Sequence, residues 1–153
     1  MRVKKITDES EILGVIKKCR VCALAMVDKQ NHPYVVPMNF GLHNGDIYFH
    51  GAQGGRKMEI LKSNPQVAVN FTADHKLRYQ NEHVACSYSM KYRSVIVEGE
   101  VEFIDDKAGK IKALDIIMGQ YTKGKFNYND PAIREVAIFR LSTKKITGRK
   151  MHY

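Results

Sequence analysis

The sequence has no long hydrophobic run and only three cysteines, and each scarcity excludes a class of protein. No apolar stretch approaches the roughly 20 residues that a helix needs to span a bilayer, so we expect no membrane insertion. The basic N-terminal segment 1–8 is not followed by a long apolar region, which argues against a signal peptide and favours a cytoplasmic location. An odd number of cysteines in such a chain argues against a disulfide framework.

Several motifs of catalysis and ligand binding are also missing. The chain has no Gly-x-Ser-x-Gly sequence and no His-x-x-x-His or Glu-x-x-His pair, which argues against a nucleophile-elbow hydrolase and a His-based metal site. Its net charge of +9 is spread from Arg2 to Lys150 without a long basic run. An anionic cofactor accounts for this charge as well as nucleic acid does, and we expect no specific nucleic-acid binding.

The cysteines leave more than one interpretation open. Cys19 and Cys22 have the spacing of a redox pair or of half a zinc site, which Cys86 and His83 would complete. However, Cys22 opens an apolar run, where a buried thiol behaves as a small hydrophobic side chain. We therefore expect no metal site and leave the role of the cysteines open.

The hydrophobic pattern predicts a single domain over residues 1–153, of mainly β (α+β) class. The Asn44-Gly45 pair is a strong hairpin signal between two of the strands. Apolar alternation predicts seven strands, at 21–27, 34–42, 47–50, 67–72, 92–104, 136–141 and 146–150. These features predict a six- or seven-stranded antiparallel sheet closed into a small barrel, with helices at its periphery.

The remaining segments are assigned by helical spacing or by its absence. Apolar residues at helical spacing predict helices over 8–19 and about 56–62, and a third that begins at Asp105-Asp106. The polar segments 73–89 and 126–134 show neither period, and we predict loops there.

The segment Tyr48–Leu61 combines a strand, a glycine loop and a cationic helix start. Its glycines, Gly51, Gly54 and Gly55, let the backbone turn tightly and bring N–H groups close to a ligand. A helix that begins with Arg56-Lys57 adds unpaired donors and positive charge. This combination suits a phosphate, although the spacing matches neither a P-loop nor a dinucleotide fingerprint.

Three segments in order resemble a known family. They are Tyr34–Phe40, Tyr48–Lys57 and Tyr92–Gly99, and the likeness extends from about Arg2 to Lys150. Together they resemble the pyridoxamine 5′-phosphate oxidase-like flavin proteins, in particular the nitroimidazole-resistance (Nim-like) branch. The sequence lacks the arginine-rich first flavin strand of the oxidase itself and a second basic cluster for a pyridoxine phosphate, so we do not expect vitamin B6 oxidation.

The resemblance implies a split β-barrel homodimer with FMN in the grooves between the subunits. The positions implied to contact the cofactor are Val36, Pro37, Met38, Asn39 and Phe40 along the ring, His50, Gly51, Ala52 and Gly55 beside it, Arg56 and Lys57 at the phosphate, and Arg93 and Ser94, which could come from the partner chain. His50 is the implied catalytic residue. Whether His152 or Tyr153 reaches the site stays open.

The implied function is an FMN-dependent oxidoreductase that passes electrons from NAD(P)H or another donor to a small organic acceptor. Within the same fold, haem or deazaflavin F420 could replace FMN. A non-catalytic flavin-binding or redox-sensing module is a further alternative. Two residues also have plain structural alternatives: His50 could be a hydrogen-bonded strand histidine, and Arg93 could be ion-paired with Glu98 or Glu102.

Overall fold

The computed structural model describes residues 3–153, which form ten strands and four α-helices. The strands are β1 (Lys4–Ile6), β2 (Cys22–Val27), β3 (Pro33–Met38), β4 (Gly41–His43), β5 (Asp46–Ala52), β6 (Gln66–Arg78), β7 (Ser89–Glu100), β8 (Glu102–Ile104), β9 (Val136–Ser142) and β10 (Ile146–Met151). The helices are α1 (Glu9–Lys18), α2 (Arg56–Ser63), α3 (Lys107–Gly119) and α4 (Asp130–Glu135), with a short 3-10 turn at Ala85–Ser87.

The strands form two antiparallel sheets, which confirms the predicted antiparallel split barrel. The larger sheet has the order β1-β10-β7-β6-β2-β3, and the smaller has the order β4-β5-β9-β8. The main core lies between them, where Phe40 packs edge-on against Phe71 with ring centres 4.9 Å apart and Phe49 stacks on Phe139 at 5.2 Å. A second apolar cluster joins α3 to the other face of the smaller sheet.

Two predicted strands are each divided in the structure. The predicted strand 34–42 becomes β3 and β4, and the predicted strand 92–104 becomes β7 and β8. In both places the chain leaves the larger sheet and joins the smaller one. Gly41 shows why the first corner needs glycine: a Cβ there would lie 2.6 Å from the Ile116 carbonyl oxygen of α3. Alternation continues through such a corner, so the pattern alone does not reveal the break.

Both predicted loops contain regular structure. Within 73–89, β6 continues to Arg78 and β7 begins at Ser89, and the two strands form a hairpin. Side chains are exposed on both faces of this hairpin, so its sequence lacks the alternation of apolar and polar residues that marks a half-buried strand. Within 126–134, α4 begins at Asp130, where the Asn129 side chain accepts the Ala132 N–H at 2.9 Å. A helix of six residues is too short to show a period.

The short strand β1 was also missing from the prediction, because three residues of a basic segment carry too little pattern. It pairs with β10 at one edge of the larger sheet, and β3 forms the opposite edge. The backbone of β3 therefore has one side without a strand partner among residues 3–153. No helix in that part of the chain is long and apolar enough to cross a membrane.

Candidate cofactor-binding site

The connection between β5 and α2 leaves backbone donors free at the start of the helix. Gly55 occupies the N-cap position with a φ of 94°, which favours glycine, and no side chain caps α2 there. The first helical hydrogen bond runs from the Glu59 N–H to the Gly55 carbonyl. The three preceding N–H groups thus lack helical acceptors and, with the helix dipole, create a site of positive potential.

Lys57 adds a half-buried positive charge to this helix start. Its Nζ donates to the Met38 Sδ at 3.3 Å and lies 3.1 Å from the place where a Cβ on Gly51 would be, so glycine makes room for the ammonium. Burial lowers the pKa of Lys57. No carboxylate among residues 3–153 forms an ion pair with it. A partly desolvated cation without a counter-charge is costly, and a bound anion would remove that cost.

Arg56 and the edge strand β3 extend the same surface. The Arg56 guanidinium lies over the Tyr34 ring, 4.2 Å from its centre, and is otherwise exposed. Along β3, Val36 and Met38 face the core, whereas Pro37 and the following Asn39 are exposed. A planar ligand at this edge would meet main-chain groups of β3 and alternate side chains.

Phe40 lies at the corner where β3 ends, with its side chain in the core. Its ring is fully buried, and its N–H donates to the Tyr121 hydroxyl at 3.0 Å. The Tyr121 hydroxyl in turn donates to the Arg20 carbonyl at 2.8 Å, which also accepts from the Asn39 side chain at 3.5 Å. Tyr121 lies two residues beyond the end of α3, and sequence reasoning did not assign it to the site. No local signal could reveal this role, because its partner Phe40 is 81 residues away.

Gln53 is a second residue whose role the sequence did not reveal. Its side-chain amide donates to the carbonyls of Arg134 and Val136, at 3.2 and 3.0 Å, and so ties the glycine loop to the end of α4. The buried Lys110 donates to the Val136 carbonyl at 2.7 Å and to the Ile133 carbonyl at 3.0 Å. Both side chains therefore donate to carbonyl groups at the C-terminal end of α4, where the helix itself supplies no N–H donors.

His50 lies at the same end of β5, on the face that points towards α3. Its strand partner is Ile138, which belongs to the α3 cluster, whereas the next residue, Gly51, pairs with Ala137 of the main core. Burial, and then the charge of Lys57, lower the pKa of His50. The imidazole is therefore held in its neutral form at neutral pH, with one N–H donor and one acceptor nitrogen.

Arg93 and Ser94 lie elsewhere in the same chain. Arg93 is ion-paired with Glu11 (Nε–Oε1, 3.0 Å) and with Asp74 (Nη1–Oδ2, 2.9 Å), so neither partner considered from the sequence is the one used. Three strand spacings separate β7 from β3 in the sheet, which is about 14 Å. One chain thus brings Met38, Gly51 and Lys57 into contact, with the charge of Lys57 acting on His50 and Arg56 lying over Tyr34, and keeps Arg93 and Ser94 on a distant strand.

The C-terminal residues belong to the Arg93 side of the sheet. The Tyr153 hydroxyl donates to the Asp74 carbonyl at 2.7 Å, and the Arg93 guanidinium lies 3.7 Å from the centre of its ring. His152 contacts Ser89, Nε2 to Oγ, at 3.0 Å. These contacts place both residues on the β6–β7 hairpin, away from β3 of the same chain.

The cysteines do not form a common site. Cys19 and Cys22 are buried, and burial raises the pKa of both, to about 12 for Cys22, which disfavours reactive thiolates. Cys86 is exposed on the 3-10 turn. In the range 3–153, no group of three or more histidine, cysteine or acidic side chains could hold a metal ion.

Comparison with known proteins places the chain among flavin-associated split barrels. The family model for pyridoxamine 5′-phosphate oxidase matches residues 8–150. A solved structure from Bacteroides thetaiotaomicron, proposed to be a 5-nitroimidazole antibiotic resistance protein, is 42% identical and superposes with a TM-score of 0.88, covering 97% of this chain and 87% of that one.

Two more distant structures share the fold. A FAD-binding protein from Mesorhizobium loti is 25% identical, with a TM-score of 0.69 over 99% of both chains. A FAD and haem binding protein from Mycobacterium smegmatis is 19% identical, with a TM-score of 0.86 over 98% of this chain and 74% of that one, and this likeness concerns the fold alone. No curated protein sequence gives a significant match.

The lowered pKa of His50 predicts that acid destabilises the fold through this residue. The unfolded chain binds the His50 proton near the ordinary pKa of 6.5, whereas the folded protein binds it only at lower pH. Protons therefore favour the unfolded state, and the free energy of unfolding decreases as the pH falls through 6.5. Urea unfolding between about pH 8 and pH 5 should show a smaller decrease for His50→Asn than for the wild type.

His43→Asn, at an exposed strand end, is the matched control and should keep the wild-type pH dependence. If the free energy of unfolding of His50→Asn depended on pH as that of the wild type does, the argument that burial lowers the pKa of His50 would be contradicted.

Proposed function

Since this chain belongs to the pyridoxamine 5′-phosphate oxidase family, we propose that it binds FMN and passes electrons to a small organic acceptor. The observation that carries the proposal is the half-buried Lys57 ammonium, which has no carboxylate partner in the described chain and lies at an uncapped helix start. The relative that is 42% identical supports a nitroimidazole-type compound as acceptor.

The residues at the start of α2 fit a terminal phosphate. A phosphate there would accept from the free N–H groups of the first turn and from the Lys57 ammonium, and the exposed Arg56 guanidinium could close over it. Its charge would replace the missing counter-charge of Lys57. The small residues Gly51, Ala52 and Gly55 leave room for a ligand to approach this backbone.

The flavin ring would lie along the open edge of β3. Val36, Pro37, Met38 and Asn39 would supply main-chain contacts there, while Phe40 keeps the corner in place through Tyr121. His50 lies at the end of the neighbouring β5. The unpaired N–H and C=O groups at the open edge of β3 could hydrogen-bond to the polar edge of such a ring.

A homodimer would unite the two halves of the proposed site. Arg93 and Ser94 lie about three strand spacings from β3, which separates them from a flavin on β3 of the same chain. In a symmetric pair, the same residues of a second copy could approach the ring. This arrangement agrees with the interface position that the family resemblance implies.

When bound, FMN would supply the redox chemistry by accepting electrons from a donor such as NAD(P)H and delivering them to the acceptor. The protein would provide binding, orientation and a hydrogen-bond donor. Neutral His50 can donate its N–H to a polar group of the acceptor, and the nearby charge of Lys57 favours this neutral form.

The first experiment is the absorption spectrum of the freshly purified protein, with mass analysis of the heat-released ligand. Blue and near-ultraviolet flavin bands together with the mass of FMN are expected. A single Soret band would indicate that the cofactor is haem, and a released mass equal to that of F420 or FAD would indicate that cofactor instead of FMN. A colourless protein that takes up no added FMN would refute the proposal.

The Lys57→Met variant should bind FMN about 10- to 100-fold more weakly, since a charge-assisted hydrogen bond contributes about 1.5–3 kcal/mol. Fluorescence titration of the flavin-free protein measures the dissociation constant. Lys112→Met removes the same charge from an exposed position of α3 and should leave the affinity unchanged. If Lys57→Met bound FMN as tightly as the wild type, Lys57 would not be a ligand of the phosphate.

The His50→Ala variant should retain FMN and lose about 100-fold in kcat for anaerobic reduction of a nitroimidazole by NADPH, the range typical of losing one hydrogen-bond donor to developing negative charge. His43→Ala, at an exposed position, is the matched control and should turn over like the wild type. Wild-type kcat in His50→Ala with full flavin occupancy would exclude His50 from the chemistry.

A further inference from the structure

Two segments of the chain that contain no acidic residue meet beside the end of β3. Residues 12–27 and 116–129 have five lysines and arginines in total but no aspartate or glutamate, although the whole chain has 16 acidic residues. The first segment includes the end of α1 and the start of β2, and the second includes the end of α3 and the loop that follows it. A contact between these segments therefore collects positive charge at one place on the surface.

Side-chain hydrogen bonds make this contact. The Gln120 amide donates to the carbonyls of Lys17 and Cys19, at 3.2 and 3.1 Å, and the Tyr121 hydroxyl donates to the Arg20 carbonyl at 2.8 Å. These bonds supply donors to main-chain carbonyls at the end of α1, where the helix itself has none. The contact uses only the main chain of the basic residues, so their charged groups are left for the solvent or for a ligand.

Four of the five cations are exposed and have no acidic partner. The Lys18 ammonium is ion-paired with Asp74, Nζ to Oδ2 at 3.0 Å. No ion pair within residues 3–153 includes the other four. We call these exposed residues the basic rim, and they are Lys17, Arg20, Lys123 and Lys125. The Arg20 guanidinium lies 5.9 Å from the centre of the Tyr121 ring, which helps to orient it.

A structural role accounts for only part of the basic rim. Cations in the last turn of a helix interact favourably with the helix dipole, which explains Lys17. Arg20, Lys123 and Lys125 lie outside the helices, so this explanation does not apply to them. Like charges gathered on one surface repel one another, and a bound anion removes that repulsion.

The basic rim borders the strand along which the proposed flavin ring would lie. The Asn39 side chain donates to the Arg20 carbonyl at 3.5 Å, and the Phe40 N–H donates to the Tyr121 hydroxyl at 3.0 Å. Asn39 and Phe40 follow directly after β3. A ligand that contacts a ring on β3 therefore has the basic rim beside it.

The basic rim is distinct from the cations proposed for the FMN phosphate. Lys57 contacts Met38, whose side chain is buried. The contact of Arg20 is instead with the next residue, Asn39, which is exposed. Successive residues of an extended chain point to opposite sides, so the two groups of cations adjoin different sides of the strand end. The chain thus offers a second place for an anion.

We propose that the basic rim binds the phosphates of a nicotinamide dinucleotide, the electron donor, while the nicotinamide contacts the flavin ring. The inference rests on the proposed function and assigns the donor-binding surface of the same site. A ribose separates the nicotinamide from the pyrophosphate, so the phosphates of a bound donor meet a surface beside the ring rather than the ring itself. Arginine binds phosphate through paired N–H groups, and lysine adds charge on a flexible side chain.

A dinucleotide fits the basic rim better than an acidic protein does. A specific protein interface takes about 800 Å² and about 20–30 residues from each partner. The basic rim has four side chains on two short segments, which suits the pyrophosphate and the additional 2′-phosphate of NADPH. NADH lacks the 2′-phosphate, and we expect it to bind more weakly than NADPH.

Calorimetric titration of the FMN-loaded protein with NADP+ tests the basic rim. The Arg20→Gln/Lys123→Gln variant should bind NADP+ about 10-fold more weakly than the wild type, the range expected for two lost contacts between exposed charges. Lys112→Gln/Lys144→Gln removes the same charge from exposed positions outside the rim and should leave the affinity unchanged. Added salt should weaken binding to the wild type more than binding to the rim variant.

Steady-state kinetics give a second readout. The rim variant should show a KM for NADPH raised about 10-fold with kcat unchanged, because the phosphates contribute equally to binding before and during electron transfer. The affinity for FMN, from fluorescence titration, should be that of the wild type. The titration with NADP+ is repeated on the flavin-free protein, since the phosphates contact the chain and not the flavin.

Three results would overturn the inference: no NADP+ binding by the wild type, equal NADP+ affinity in the rim variant and the wild type, or weaker FMN binding in the rim variant. The last result would assign the basic rim to the cofactor instead of the donor. A protein that binds NADP+ through the basic rim but takes up no FMN would support the inference and refute only the proposed function.

Discussion

The close contact between Gly41 and α3 is the constraint on which the proposed site depends. At this corner the chain leaves β3 of the larger sheet and enters β4 of the smaller one, with no room for a side chain against the Ile116 carbonyl. At the same corner the Phe40 ring is buried, and the Phe40 N–H donates to the Tyr121 hydroxyl. Because the corner fixes the end of β3, it sets the distance from that strand's open edge to β5 and the start of α2.

A second constraint is electrostatic. Lys57 is half-buried against Met38 and Gly51, and its burial has a cost that no carboxylate in residues 3–153 offsets. By contrast, Arg93 is charged in an otherwise apolar strand and is satisfied by Glu11 and Asp74. The first arrangement leaves a charge available for a ligand, whereas the second uses its charge to hold α1 and β6 onto β7. Lys57 and Arg93 therefore differ in their surroundings, although the family resemblance implied contact with the cofactor for both.

The sequence predicted most of the fold because most strands and helices leave a pattern. The strands over 22–27 and 146–151 and the helix from Arg56 match their predictions within two residues, and Asp106 caps α3 through the Gly109 N–H, as its position indicated. The failures have two physical causes. Alternation continues through the corners within 34–42 and 92–104, so it hides the break between strands. The ribbon within 73–89 is too exposed to show a period, and α4 is too short to show one.

By itself, the sequence determined the β-rich class, the glycine loop before a cationic helix and the identity of the residues that could meet a phosphate, because these depend on local spacing and composition. Only the tertiary structure decided which of those residues lie together. It joined Met38 to Lys57, placed Tyr121 against the corner after β3 and Gln53 between the glycine loop and α4, and separated Arg93 and Ser94 from β3. Such contacts connect residues tens of positions apart, and strand order, which local pattern does not encode, brings them together.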